Sequence, residues 1–331
     1  MTSRWDEAMH GAAELARATH PHPNPKVGAV VLDASGEVVG RGSHAGPGSP
    51  HAEVVALSAA GDRARHGTVV VTLEPCIHQG RTPPCVDALL AAGVARVVVG
   101  ATDPDPRVQG RGLDRLREAG LEVVTDVAPA ESIDPAYFHH RRTGLPLVTL
   151  KLAVTLDGQV AAADGTSQWI TGPEARADAH RLRAEADAVM VGAGTVIADD
   201  PLLDVRLPDH DGFQPRPVIV VGGRPLPADA RIWTRDPLVI DQGADLTEIL
   251  RLVANEGLLA LLVEGGPRLA HSLWAGNLVN RGVFYFGAMV AGGYGRSPFE
   301  GVWSTLEKAR PVTVNAVTRL GGDFRVDFTP A

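Results

Sequence analysis

Two short segments hold the residues best suited to chemistry. One reads His-Ala-Glu from His51 to Glu53; the other reads Glu-Pro-Cys from Glu74 to Cys76 and continues through Ile-His-Gln-Gly-Arg-Thr-Pro-Pro to Cys85. One imidazole and two thiolates make three zinc donors, and three protein donors leave a fourth position for water, which marks a catalytic site rather than a closed structural one. Zinc lowers the pKa of its water towards about 7, and Glu53, outside the donor set, can then carry protons between that water and a leaving nitrogen. His51, Cys76, Cys85 and Glu53 together suit water attack with proton transfer to a leaving group. A closed site would need a fourth donor, with His66 and His78 nearby. His66 stands beside Gly67 in what reads as a surface turn, and His78, between the two cysteines, is expected to face substrate.

These side chains need a scaffold that gathers them. Apolar residues recur at helical spacing over residues 5–18, and Val-Gly-Ala-Val-Val-Leu-Asp at residues 27–33 reads as a buried strand. Further strands are expected in Thr-Val-Val-Val-Thr-Leu from Thr68, Arg-Val-Val-Val-Gly from Arg96 and Leu-Glu-Val-Val-Thr-Asp from Leu121, separated by helices over residues 52–60, 85–92 and 113–119. Alternating strands and helices give a layered α/β domain. The periodicity breaks near Gly144 and Pro146, so two domains are expected, residues 1–145 and 146–331. The second opens with Leu-Val-Thr-Leu-Lys-Leu-Ala-Val-Thr-Leu-Asp-Gly at Leu147, and several of its apolar runs end in glycine. Such strand ends leave room for a ligand at the carboxyl edge of a sheet and suggest a nucleotide site. The polar loop at residues 208–217 is expected to be mobile.

A chain of 331 residues, 44% apolar and 21% charged, has ordinary globular composition and enough length for two cores. Its formal net charge of −8 argues against a nucleic-acid partner, so an anionic substrate must be held locally. Two cysteines nine positions apart make metal ligation a better reading than a disulfide framework. No apolar run approaches the roughly 18 residues of a membrane span, and residues 1–20 lack the apolar core of a secretion signal. A cytoplasmic enzyme with a small-molecule substrate, without nucleic-acid or membrane partners, is expected, and a homo-oligomer with it.

Eight residues separate Cys76 from Cys85, where nucleobase deaminases commonly have two. With His-Pro-Asn-Pro-Lys-Val-Gly-Ala-Val-Val at residues 22–31 and Thr-Leu-Glu-Pro-Cys-Ile-His-Gln-Gly-Arg-Thr-Pro-Pro-Cys at residues 72–85, the chain resembles the bifunctional deaminase–reductase family of riboflavin biosynthesis. That resemblance implies a cytidine-deaminase-like N-terminal fold with one zinc on His51, Cys76 and Cys85, and Glu53 as proton shuttle. It places Asn24, His78, Arg81 and Asp103 around a phosphoribosylated pyrimidine. Arg81, where many relatives carry lysine, suits a phosphate because a guanidinium offers a planar fork of donors. Asp105 replaces an amide usual in the family loop, adding a negative charge near that phosphate.

The second half carries the resemblance on through Leu-Lys-Leu-Ala-Val-Thr-Leu-Asp-Gly-Gln from Leu150, Val-Gly-Ala-Gly-Thr-Val-Ile-Ala-Asp-Asp from Val191 and Leu-Leu-Val-Glu-Gly-Gly-Pro from Leu261. It implies a dihydrofolate-reductase-like fold that uses NADPH. Ser167, Arg183, Leu203, Arg206 and Glu264 would face substrate; Ala153, Trp169, Thr195, Asp199 and the run Gly266, Pro267, Arg268, Leu269, Ala270, His271, Ser272 would face NADPH. Lys151 and Asp157 are candidates for assisting hydride transfer. Read without the family, Gly265 and Gly266 end an apolar strand and open a helix, so backbone N–H groups there could hold cofactor phosphates. Gly-Ala-Gly at Gly192 lacks the third glycine of a dinucleotide fingerprint.

Three departures from the family pattern stand out. Val221, Gly222 and Gly223 replace an acidic residue followed by a small or hydroxyl residue, leaving only backbone for a cofactor contact. Ala288 takes a proline position, which predicts a looser segment, and Asn280 stands in a Val-Asn-Arg-Gly run expected to alter only a surface helix end. These departures allow an alternative in which the second half is a degenerate reductase and the chain deaminates only.

Overall fold

The computed structural model describes residues 5–331 except 107, 126, 128–131, 211, 242–244 and 302. Asp126, at the end of an expected strand, and Asp211, in the polar loop, therefore lie outside the described residues. The chain divides into two compact units, Met1–Gly144 and Leu145–Ala331.

The first unit comprises α1 (Asp6–Arg17), β1 (Gly28–Leu32), β2 (Val38–Ser43), α2 (Ala52–Ala60), β3 (Thr68–Leu73), α3 (Cys85–Ala92), β4 (Arg96–Ala101), α4 (Arg111–Glu118), β5 (Glu122–Val124) and α5 (Pro135–Thr143). Its sheet has the order β2-β1-β3-β4-β5, with β1 antiparallel to both neighbours and β3, β4 and β5 parallel. Side chains alternate across a strand, so β1 serves two layers at once. Val30 and Leu32 pack with Met9 and Ala12 of α1. Helix α2 lies against β1 and β2, and there glycine sets the approach: a Cβ at Gly40 would fall 2.1 Å from the Ala56 carbonyl oxygen, and one at Gly42 2.4 Å from that of Ala52. With both faces covered, every residue of β1 is buried.

The second unit comprises β6 (Leu147–Thr155), α6 (Pro173–Glu185), β7 (Ala188–Gly192), α7 (Ala193–Asp199), β8 (Arg216–Val220), β9 (Leu238–Ile240), α8 (Leu246–Asn255), β10 (Ala260–Val263), α9 (Pro267–Ala275), β11 (Arg281–Gly287), β12 (Val312–Leu320) and β13 (Asp323–Pro330). They build an eight-stranded sheet, β12-β13-β11-β6-β10-β7-β8-β9. The pairs from β11 to β9 are parallel, and β13 and β12 add an antiparallel edge. Val148, Leu150, Leu152 and Val154 of β6 join one core layer, while Val189 and Val191 of β7 join the layer on the opposite face. Parallel pairing brings the carboxyl ends of β6, β7, β8 and β10 to one edge, where the strand-end glycines lie.

Several local expectations are corrected. Pro217 belongs to β8 rather than to a loop. It is tolerated because pairing with β9 begins only at Val218, so the missing N–H faces no partner on that side. The loop before it is tied down: Gln214 accepts from the Val205 N–H at 2.8 Å and donates to the Val205 carbonyl. The segment after Ala288 is braced rather than loose, since Asp323 accepts from the Ala288 N–H at 3.1 Å and Asp157 from those of Ala291 and Gly292 at 3.1 and 2.7 Å. Asn280 is more than a surface residue: its Oδ1 accepts from the Val148 N–H at 2.8 Å and its own N–H donates to the Val148 carbonyl, fastening the start of β6.

Gly28 shows how tightly α1 is set. A Cβ there would lie 2.0 Å from the Ala12 carbonyl oxygen, a backbone atom that cannot step aside. Gly28→Ala is expected to destabilise the N-terminal unit by about 1–3 kcal/mol, read as a lowered denaturation midpoint with unchanged slope; an unchanged midpoint would show that α1 can move away freely.

Candidate active sites

The metal-binding chemistry of the first unit is built at two helix starts and one strand end. His51 is the residue preceding α2, Cys85 opens α3, and Cys76 follows β3 by three positions. His51 Nδ1 lies 2.9 Å from the Cys85 Sγ and 3.4 Å from the Cys76 Sγ, and the two sulfurs are 3.4 Å apart. Donors around a tetrahedral zinc stand about 3.5 Å from one another when the metal bonds are roughly 2.0–2.3 Å. The three residues therefore fit zinc. Thr82 Oγ1, 3.2 Å from His51 Nε2, occupies the far side of the imidazole and leaves Nδ1 to the thiols.

Electrostatics support the same assignment. Cys76 is pulled down to about 4, chiefly by the hydrogen bond from Cys85, with His51 and the Cys85 backbone N–H adding to it. The same contact pushes Cys85 up, so the two sulfurs hold one proton between them, which a bound dication would displace. Glu53, on the first turn of α2 and 3% exposed, is raised to about 7, with burial the largest cause. A carboxyl balanced near neutrality can both take and return a proton.

His51, Glu53 and Cys76 line a cavity of about 520 Å³, within the range of small-molecule sites, while Cys85 is fully buried. Its lining includes Asn24, His78, Arg81 and Asp103, so the structure gathers every N-terminal residue that the sequence nominated. His66 stays apart, exposed at a turn with φ 60°. Four further lining residues were given no role from the sequence, although Glu74 opens the Glu-Pro-Cys motif. His44, 3% exposed and edge-on to His51 with ring centroids 5.1 Å apart, bonds Asn24 Nδ2 through Nε2 at 2.9 Å. Glu74 accepts from the N–H groups of Asp103, Gly110 and Gly112 at 3.2, 2.9 and 2.9 Å, so it organises the loop that presents Asp103. Tyr137 donates to Asp103, and Arg141 lies over the Tyr137 ring.

In the second unit the polar centre is Glu264, immediately after β10. Arg183 of α6 grips it through two bonds, Nε to Oε1 at 2.6 Å and Nη2 to Oε2 at 3.0 Å, and Lys151 Nζ stands 3.7 Å from Oε2. Burial alone would raise Glu264, but Arg183 and Lys151 outweigh it and bring the carboxyl down to about 2. Arg183 also donates to the Asp204 carbonyl at 2.9 Å, linking the cluster to the 203–206 segment. Leu203 there adopts φ 53°, rare for a non-glycine residue and typical of functional segments. Arg206 is half exposed beside Asp204, and Ser167 lies exposed.

For NADPH, Gly266 precedes α9 with no side-chain cap, and Pro267 at the first turn leaves the N–H groups of Arg268 and Leu269 for an anion. A Cβ on Gly266 would meet only Thr195 Oγ1 at 3.9 Å, so the backbone is open there. Trp169 is 63% exposed with Arg176 over its ring, and Asp199 closes α7. These features fit a dinucleotide along the carboxyl edge. Further along the run, the Ala270 side chain is wholly buried in the core and His271 packs against Trp303. Ala153 packs on the opposite core layer beside Tyr285 of the neighbouring strand. Asp157 spends its carboxylate on Thr155 Oγ1 and the Ala291 and Gly292 N–H groups, a bracing arrangement.

A catalytic-type zinc donor set with a buried glutamate, followed in one chain by an α/β unit with a nucleotide-type edge, defines a zinc deaminase fused to a reductase. Residues 3–101 match the cytidine and deoxycytidylate deaminase zinc-binding region, and residues 146–321 match the RibD C-terminal domain. The chain belongs to the RibD family of riboflavin-biosynthesis proteins. It is 43% identical over 296 residues to riboflavin biosynthesis protein RibD of Mycobacterium tuberculosis, covering 87% of this chain and 86% of the relative. The solved structure of Acinetobacter baumannii RibD, form 1, superposes with a TM-score of 0.92 at 34% identity over 99% of each chain. That of a Thermotoga maritima diaminohydroxyphosphoribosylaminopyrimidine deaminase/5-amino-6-(5-phosphoribosylamino)uracil reductase gives 0.90 at 31%, again over 99% of each. The family's enzymes are bifunctional, with a zinc-dependent deaminase and an NADPH-using reductase, and this chain has the cytidine-deaminase-like N-terminal domain expected from the sequence followed by an α/β RibD C-terminal reductase domain. Among the described residues no helix is long and apolar enough to cross a membrane.

Thr82 gives this site its own test. Thr82→Val keeps the shape of the side chain but removes the oxygen facing His51 Nε2, and zinc affinity is expected to fall by about 10–100-fold in a chelator competition. Unchanged affinity would show that Thr82 does not orient the imidazole.

Proposed function

We propose that residues 1–145 carry out the hydrolytic deamination of a diamino-hydroxy-phosphoribosylamino-pyrimidine and that residues 146–331 reduce the ribosyl group of the product to ribityl. The observation that carries the first assignment is the cluster of His51, Cys76 and Cys85, of which His51 and Cys76 line, with buried Glu53, a cavity that Arg81 also lines. When bound, zinc supplies Lewis acidity for water attack, and NADPH supplies the hydride. Glu53 takes a proton from the attacking water and returns it to the departing nitrogen, so that water adds, ammonia leaves and an amino group becomes an oxo group. Arg81 and His78 hold the phosphate end, while the Asn24 amide donates and accepts and the Asp103 carboxylate accepts along the ring and sugar.

In the second unit Arg183, Arg206, Leu203, Ser167 and Glu264 hold the deaminated intermediate, and Trp169, Thr195, Asp199 and the Gly266 backbone hold NADPH. Lys151, beside Glu264, is the candidate proton carrier for the sugar oxygen that gains negative charge as its carbon takes hydride. The intact Lys151–Glu264–Arg183 cluster argues against a degenerate second half, because a buried carboxylate with two cations is costly to keep without use. Two free thiols that must stay reduced suit a cytoplasmic enzyme. The net charge of −8 gives no support to a nucleic-acid partner. Exposed Val314 and Val317 on edge strand β12 support a homo-oligomer.

Glu53→Gln tests the division of labour. Glutamine preserves size but cannot shuttle a proton, so deamination is expected to fall by roughly 10²-fold or more with zinc content retained. Given the already deaminated intermediate, the same protein is expected to oxidise NADPH at close to the parent rate. Equal loss with both substrates in a folded, zinc-loaded protein would contradict the assignment.

A further inference from the structure

The segment that carries Leu203 and Arg206 has no regular structure of its own. Residues 201–207 form neither helix nor strand between α7 and β8, yet their backbone groups are taken up one after another by side chains from elsewhere in the unit. Arg235 donates to the Leu202 carbonyl at 3.1 Å, Arg183 to that of Asp204 at 2.9 Å, and Gln214 serves both the N–H and the carbonyl of Val205. A further tie comes from His180, whose Nδ1 accepts from the Arg206 N–H at 3.2 Å. Backbone outside a helix or sheet ladder needs such partners, and each of them also fixes position.

His180 and Arg183 stand three positions apart on α6, so they project from the same side of the helix. That side grips the segment at two places, the Asp204 carbonyl and the Arg206 N–H, and the same Arg183 holds Glu264 at the polar centre. Burial, with the charges of Arg183 and Arg206 adding to it, holds half-buried His180 below the ordinary histidine value, against the smaller opposing pull of Glu264 and the Asp204 backbone. A neutral imidazole keeps a lone pair for the N–H, whereas an imidazolium has none to offer. The Arg206 guanidinium is 57% exposed, and a pairing with Asp204 at 3.6 Å in that setting fixes a long side chain weakly. Where it can reach is set by where its backbone is tied.

We propose that His180 is a positioning residue of the reductase site: by taking the Arg206 N–H it sets the origin of the Arg206 side chain, and so the place where that guanidinium meets an anionic group of the ligand. This role rests on the reading of residues 146–331 as the reductase and of Arg206 as a substrate contact. A guanidinium makes its two-bond contact with a phosphate only within a narrow geometry, so a displaced backbone costs affinity even when the charge is kept. The cost falls on binding of the intermediate and not on hydride transfer, because an anion-binding group holds ground state and transition state alike.

Steady-state reduction of the deaminated intermediate by the full chain tests this role. His180→Leu removes the acceptor and is expected to raise KM for the intermediate by about tenfold, with kcat and the KM for NADPH within about threefold of the parent. His180→Asn places an oxygen as many bonds from Cα as Nδ1 and is expected to keep KM within about threefold of the parent. Arg206→Ala is expected to raise KM by about tenfold or more, and His180→Leu added to it to change KM by less than about threefold further, since the side chain to be positioned is gone. Parent-like deaminase turnover and NADPH KM show that each protein is folded. An unchanged KM in His180→Leu would overturn the proposal. An asparagine variant as impaired as the leucine one, or a full tenfold effect of His180→Leu on top of Arg206→Ala, would place the role in the packing of α6 and overturn it too. Arg206→Ala with the parent KM would remove the substrate contact and the proposal with it. A parent protein that does not oxidise NADPH on the intermediate would instead overturn the reductase reading, so the failures are distinguishable.

Discussion

The N-terminal unit depends on one electrostatic constraint: two helices start beside a cluster of two sulfurs and an imidazole. His51 precedes α2 and Cys85 opens α3, neither helix has a side-chain cap, and the Cys85 N–H itself points at the Cys76 sulfur 3.3 Å away. A helix start carries partial positive charge and stabilises thiolate, which is the form that binds metal. The sheet exists, in this sense, to hold those two starts in register. Gly40 and Gly42 let α2 lie directly on β2, and β3 delivers Cys76 beyond its last paired residue. The same arrangement buries Glu53 one turn from the metal donors and so brings its pKa to where a shuttle works.

The second unit solves a different problem. Its central charge is a buried carboxylate, Glu264, and the cost of burying it is offset by a two-pronged guanidinium and an ammonium. Because Arg183 comes from α6, Lys151 from β6 and Glu264 from the end of β10, the ion cluster also fixes how those elements meet. The 203–206 segment is drawn in through the Arg183 bond to the Asp204 carbonyl, which accounts for Leu203 being kept in a strained conformation. The atoms proposed to bind substrate are also structural ties, so little change is expected to be tolerated there.

Much of this was legible in the residues. His51, Glu53, Cys76 and Cys85 declare themselves because metal chemistry restricts residue type and spacing, and strands such as residues 68–73 because parallel strands buried on both faces are continuously apolar. Other parts were silent for physical reasons. Strand β2 contains Gly40 and Gly42, required by the close approach of α2, and glycine erases the strand pattern. Strand β12 is exposed along almost its whole length and shows no burial alternation. His44, Thr82, Tyr137 and Arg141 act through partners 20 to 36 positions away, and no local spacing encodes that. The family resemblance supplied most of the reductase site, including Ala270 and His271, whose side chains are packed in the core and against Trp303.

The central claim is that one chain performs two successive and chemically distinct steps on one substrate. Mass spectrometry of the product formed from the diamino-pyrimidine phosphate, with and without NADPH, tests this most directly, because exchange of an amino for an oxo group and addition of two hydrogens change the mass differently. Without NADPH the account expects the deaminated species alone; with NADPH it expects the species both deaminated and reduced. A product that is deaminated but never reduced, or reduced while keeping its amino group, would contradict it.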